Sequence, residues 1–268
     1  MSLELISATQ QILKKVEDLT NKKFQFVERK DLPTYATVKM ARKNMESHII
    51  TYKAEHDEII HHIIAHECGH IIRMHGVPEE KRVIPMTNEQ TKMKALQEVD
   101  DDIQRLSTLL TAEELRQLIN MWYEGLVRQL TNVPPDLMIE KWLYNEYPDL
   151  RTYQLKSIQK QHKEAIQALS DEVRKITPKK IYDASNVMNY AFFRILGFHF
   201  GINFVKPYNN SRYLNSGKKL TKITEENYVD SYEGDVQMIN RWADYFHLNH
   251  WFQWTDFQDI PDNYSDQR

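Results

Sequence analysis

The sequence predicts an α+β fold that is predominantly helical, with a small sheet close to its amino terminus. Three observations carry this reading. Glycine is scarce, 7 among 268 residues, and no internal repeat is visible, which argues against glycine-rich phosphate loops, tight-turned barrels and solenoids. Short runs rich in β-branched and aromatic residues cluster between positions 24 and 52. Most of the chain beyond that cluster repeats its apolar residues at the spacing of a buried helix face.

Leu5, Ile6, Ile12, Leu13, Val16 and Leu19 share helical spacing, so a first helix is expected from Leu3 to Leu19, with Asn21 as its stop. Phe24 to Val27, Tyr35 to Met40 and His48 to Tyr52 read as three short strands, parted by polar turns such as Arg42, Lys43 and Asn44. Asp57 can accept a bond from an otherwise orphan amide, and the run IIHHIIAHECGHII begins two residues later. That predicts a helix from about Glu58 to Met74. After Pro78 and Pro85, one helix is expected over Glu89 to Leu110 and another over Ala112 to Leu130. Val133, Pro134 and Pro135 then reset the chain, because proline lacks the amide a helix interior needs, and Pro135 suits the first turn of a helix through Asn145. Beyond Pro148, helices are expected over Tyr153 to Ile176, Tyr182 to Leu196 and Tyr228 to Phe246. A soft boundary falls near residue 150. It divides 1–150 from a helical 151–268 without a flexible linker, and the two parts can share one core.

Composition bounds the function classes. The chain is 41% hydrophobic and 27% charged, ordinary for a globular protein. Its formal charge is -3, so it offers no strong basic field to a nucleic acid. A single cysteine, Cys68, excludes an internal disulfide, and the opening MSLELISATQQILKK lacks the apolar core of a secretory signal; both suit a reducing cytoplasm. No stretch approaches the roughly 20 consecutive apolar residues of a membrane-spanning helix. No membrane partner is expected.

The chemistry concentrates in His66, Glu67 and His70. Two histidines four residues apart on a helix differ by about 40° in azimuth and can converge on one cation. Zinc accepts imidazole nitrogen at about 2.0–2.1 Å, and two such ligands with one carboxylate leave a position open for water. Glu67 lies beside the pair without being needed as a ligand, where its carboxylate can take a proton from that water. It also falls inside the arc spanned by Ile59, Ile60, Ile63, Ile64 and Ile71, where a lone carboxylate is costly unless paired or lining a cleft. Gly69 signals close packing, since glycine inside a helix costs about 1 kcal/mol relative to alanine. Cys68 points away and is expected to be inert. His62 is nearly aligned with the pair and reads as a solvated or supporting imidazole, as does His61.

HECGH on a helix, after a short strand ending near Lys53, resembles the zincin metallopeptidases, and among them the small gluzincins that include the ImmA/IrrE-like enzymes. The resemblance covers about residues 24 to 145. It implies a small twisted sheet whose edge pairs with an extended peptide substrate, a role that would fall to Ser47 to Tyr52 or to the strand before it. It also implies a glutamate from a later helix as third ligand. Glu98 has the family's usual Glu-x-x-x-Asp spacing with Asp102, but it lies outside the stripe of Met93, Leu96, Val99, Ile103, Leu106 and Leu110. Glu140 sits at the margin of an apolar face with Ile139, Leu143 and Tyr147, and is preferred. Asp136, one turn earlier on the same side, would then orient a ligand histidine through its second ring nitrogen, or serve as a helix-start carboxylate.

The reading is a zinc metallopeptidase with one ion held by His66, His70 and Glu140, Glu67 as general base, Asp136 in support and Glu98 as the alternative ligand. Two other readings stay open. One is a metal-dependent amidohydrolase acting on a small non-peptide amide; the other is a regulatory or interaction protein with a structural zinc. An oxyanion stabiliser would come from Tyr144, Tyr147, Tyr232, His199 or Arg151. The aromatic stretch from Tyr245 to Trp254 is expected to be core, and Asp100 to Asp102 a solvated helix face.

Overall fold

The computed structural model describes residues 3–32 and 35–261. It is α+β and predominantly helical. In chain order the elements are α1 (Ser7–Thr20), β1 (Lys23–Arg29), β2 (Ala36–Lys39), β3 (Ser47–Lys53), α2 (Ile60–His75), β4 (Val83–Met86), α3 (Glu89–Gln97), α4 (Asp100–Ser107), α5 (Ala112–Glu146), α6 (Arg151–Gln167), α7 (Asp171–Ile176), α8 (Lys179–Phe200), α9 (Leu214–Asn227), α10 (Tyr232–Phe246) and β5 (Gln253–Asp256). Among the described residues no helix is long and apolar enough to cross a membrane. The chain gathers into two compact units. The first holds the residues up to Ile84, Met138–Lys160 and those from Thr255 on, and the second holds Pro85–Leu137 and Gln161–Trp254.

The first unit contains the small sheet. α1 ends where the sequence places its stop, with Asn21 in the left-handed region at φ 55° and its amide bonded to Glu17 O at 2.9 Å. β3 is the central strand, parallel to β1 and antiparallel to β2, with Phe26 opposite Ile50 on one side and Val38 opposite Ile50 on the other. Its residues alternate as a pleated strand must: His48, Ile50 and Tyr52 are buried, and the residues between them are half-buried. α1 packs on α2, and α2 packs on β2. Ile12 and Val16 of α1, Ile50 of β3 and Ile64, Ile71 and Met74 of α2 are fully buried, each contributing about 1.5–3 kcal/mol of apolar burial. Asp57 Oδ1 accepts the Ile59 amide at 3.0 Å ahead of α2, as expected of it.

The second unit is helical, and here the sequence pattern and the structure part company at breaks and caps. The helix expected over 89–110 is interrupted at Glu98 and Val99, and Asp100, Asp101 and Asp102 form the first turn of α4. Three carboxylates at the positive end of a helix are favourable there. Asp102 also accepts the Lys179 amide at 2.8 Å, so the acidic run is more than a solvated face. The expected reset at Pro134 and Pro135 does not occur: both prolines lie inside the 35-residue α5. They deprive the carbonyls of Leu130 and Thr131 of their helix donors, at about 3 kcal/mol or more for an interior proline. Leu126, Leu130, Leu137, Ile139 and Leu143 are buried on either side, and together they outweigh that cost. Ser170, which accepts the Val173 amide at 3.3 Å, starts α7 and splits the helix expected over 153–176. α9 had little apolar signal because its buried face is Gly217, Leu220, Thr221 and Thr224. Gly217 lets Tyr190 approach so closely that an added Cβ would lie 2.3 Å from its ring. The late aromatic stretch is core in part: Trp251 is fully buried and Phe252 4% exposed, while Tyr245, Phe246 and Trp254 are half-buried.

Candidate metal centre

α2 sets three imidazoles along one ridge. His62, His66 and His70 stand at i, i+4 and i+8, so their side chains succeed one another on one face. The ring centroids are 6.0 Å apart for His62 and His66 and 5.0 Å for His66 and His70. His70 is 6% exposed and Glu67 is 8% exposed, which fits the place of Glu67 inside the isoleucine arc. Gly69 explains how a carboxylate reaches this ridge. A Cβ at Gly69 would lie 2.6 Å from Ile139 Cγ2, so glycine is what lets the carboxy-terminal turns of α5 press against α2. Glu140 is the next residue.

Glu140 is 1% exposed and fully engaged. Its Oε1 and Oε2 lie 3.1 and 3.0 Å from His62 Nε2, and Oε1 lies 2.8 Å from His66 Nδ1. The Gln154 side-chain amide donates to Oε2 at 2.5 Å and to the Glu140 backbone carbonyl at 2.7 Å. Burial alone would push this carboxyl up; the charge and hydrogen bond of His62, with those of His66, outweigh it and hold Glu140 well below the usual carboxylate range. It is therefore ionised and can only accept, so each ring nitrogen facing it carries a proton. In the neutral form of His66 that leaves Nε2 without a proton, as the nitrogen a cation would take.

Among the described residues of the first unit, His62, His66 and Glu140 form a group that could hold a cation, with ligand atoms within 4.8 Å of one another. Ligands about 2.0–2.1 Å from one tetrahedral ion sit roughly 3.3 Å apart, so the group would close by at most about 1.5 Å to reach zinc geometry. Imidazole nitrogen with carboxylate oxygen is also a donor set that zinc accepts. Asp136 is half-buried and stands on α5 one turn before Glu140. Glu98 does not belong to this group. Its carboxylate pairs with Lys180 and His250 and accepts from Trp251 Nε1 at 3.3 Å.

The other expected residues occupy varied surroundings. Cys68 is fully buried, and burial pushes its thiol well up, which disfavours the reactive thiolate. His62 supports the site but is not solvated, being 1% exposed. His61 is half-buried with its ring edge-on to Tyr153 at 5.0 Å. Arg151 is committed elsewhere, stacking on Tyr144 at 4.7 Å and donating to its carbonyl at 2.7 Å, and Tyr147 rests on Trp142. Ser47 to Tyr52 cannot accept an added strand, because β3 already pairs on both sides, with β1 and with β2. Gln154 was not foreseen. Its signal is positional: Leu150, Gln154 and Ile158 occupy the buried i, i+4, i+8 stripe leading into and along α6, each fully buried, and a polar residue in such a stripe needs a polar partner. Compared with family models, curated proteins and solved structures, the chain matches none.

Proposed function

We propose that this chain is a zinc-dependent hydrolase acting on peptide bonds, with His66 and His70 as ligands and Glu67 as general base. One observation carries the ligand choice: Glu140 occupies Nδ1 of His66, which turns Nε2 of the same ring toward the ligand role. This changes the part expected for Glu140, which becomes the group that orients a ligand histidine, a support metal-bound histidines almost always have.

Zinc in such a site supplies Lewis acidity, polarising a carbonyl and making a water acidic near neutral pH. The chain's own groups do the rest. The Glu67 carboxylate takes the proton of the attacking water as the new carbon–oxygen bond forms, then delivers it to the departing amine as the carbon–nitrogen bond breaks. The resemblance of HECGH and its preceding strand to the zincins favours a peptide or protein substrate. A small amide, hydrolysed by the same residues, is the alternative.

Incubation of the zinc-loaded protein with a mixed peptide library tests this. Wild type should cleave, and Glu67→Gln should keep its zinc while losing about 10²–10⁴-fold in turnover. A wild-type protein that binds zinc and cuts no peptide would overturn the peptidase reading, and turnover of small amides by it would establish the alternative.

A further inference from the structure

We infer that His62 and Gln154 are positioning residues that clamp Glu140 and thereby lock His66 in the Nδ1–H tautomer, with Nε2 presented to the metal. The inference rests on the proposed function for its purpose, but its geometry lies wholly among side chains of the first unit. Glu140 carries four acceptor sites on two oxygens. His62 Nε2 spans both oxygens at 3.0–3.1 Å, and Gln154 takes Oε2 and the backbone carbonyl of the same residue. The Gln154 pair fixes the carboxylate relative to its own helix, and His62 fixes its plane. Oε1 is thereby held 2.8 Å from His66 Nδ1, where only an N–H completes the bond.

The clamp is not what a core built for stability alone would contain. His62 is 1% exposed and Gln154 fully buried, yet His62 Nδ1 and Gln154 Oε1 have no hydrogen-bond partner among the described residues. Orphaned buried polar atoms are destabilising, and apolar residues of similar volume would avoid them. What the arrangement supplies is orientation. A neutral imidazole can carry its proton on either nitrogen, and a ligand histidine in the wrong tautomer points a proton at the metal. Fixing the tautomer before the ion arrives removes that competition.

Long-range ¹H–¹⁵N spectra of the metal-free protein read the tautomer directly, and chelator competition with zinc reads its consequence. In wild type, His66 should be the Nδ1–H form. In His62→Leu and Gln154→Met, checked as folded by circular dichroism, it should drift to a mixture of tautomers, with zinc held about 10–100-fold more weakly. His62→Gln, which keeps an N–H donor toward Glu140, should recover most of both signals. An Nε2–H His66 in wild type overturns the inference even if every variant fails to fold. So do folded Leu and Met variants with an unchanged tautomer. A wild-type protein with His66 locked as Nδ1–H, released in the variants, but with no zinc affinity would uphold the clamp while removing the proposed hydrolase.

Discussion

Glu140 and Glu98 both come after HECGH on later helices, and both fit part of a ligand pattern, yet they end in surroundings of different kinds. Glu98 is 30% exposed along its side chain and is engaged by Lys180, His250 and the Trp251 indole. Burial pushes its carboxyl up, and the hydrogen bond and charge of Lys180 outweigh that and bring it down. Glu140 is 1% exposed and is engaged by two imidazoles and an amide. Both carboxylates meet an imidazole, but the His250 beside Glu98 is 39% exposed and shares that carboxylate with an ammonium, whereas the imidazoles at Glu140 are buried or half-buried and stand in one row with His70. An imidazole that gives its proton to a carboxylate has a second nitrogen left to offer a cation. The number and burial of the imidazoles, more than a carboxylate's spacing from the motif, separate a surface ion-pair hub from a group that could hold a metal.

The largest expected effect is on Glu140→Ala. Removing one member of a buried, hydrogen-bonded pair leaves His62 and Gln154 without their acceptor and should cost about 3–5 kcal/mol in chemical denaturation. If that variant melts like Glu98→Ala, the contrast between the two carboxylates collapses.

The next test sets a buried histidine without a carboxylate against His62. His48 is fully buried; its Nδ1 accepts the Ala41 amide at 3.0 Å, and Nε2–H donates to Thr20 Oγ1 at 3.0 Å, so it must stay neutral. Burial, then the nearby His75 and Lys22, lower it from 6.5 to about 4. The unfolded chain therefore binds the proton more readily, so stability is whole above pH 6.5 and is lost as pH falls toward 4. His48 alone should account for up to about 3 kcal/mol. Denaturation at about pH 7 and about pH 4.5 should show this loss in wild type and a smaller one in His48→Asn. Equal losses would contradict the placement of His48.

Gly69→Val should cost about 1–3 kcal/mol by overpacking against Ile139 and should also weaken zinc binding, since Glu140 adjoins the displaced residue. A stable variant with intact zinc affinity would show that the close approach of α5 is not what delivers Glu140. The smallest effect belongs to Glu98→Ala, about 1 kcal/mol or less, as for partly exposed pairs, with zinc content unchanged.

Much of the molecule was legible in the sequence for physical reasons that can be named. The three strands, the HECGH helix, the close packing at Gly69 and the burial of Glu67 all come from local periodicity, which reports one element at a time. The unbroken α5 did not, because Pro134 and Pro135 are overruled by apolar burial on either side of them. The surroundings of Glu140 were also hidden, because its spacing from the motif does not say which ring nitrogen of His66 it meets. Gln154 lay outside any motif, visible only as a polar residue in the wrong stripe.

The most direct test of the central claim is zinc content after dialysis at neutral pH, measured by atomic emission on wild type, Glu67→Gln, His70→Ala and Glu98→Ala. Wild type, Glu67→Gln and Glu98→Ala should each retain about one ion per chain, and His70→Ala should retain none. Wild-type protein that is metal-free and refuses added zinc, or zinc lost from Glu98→Ala but kept by His70→Ala, would contradict it.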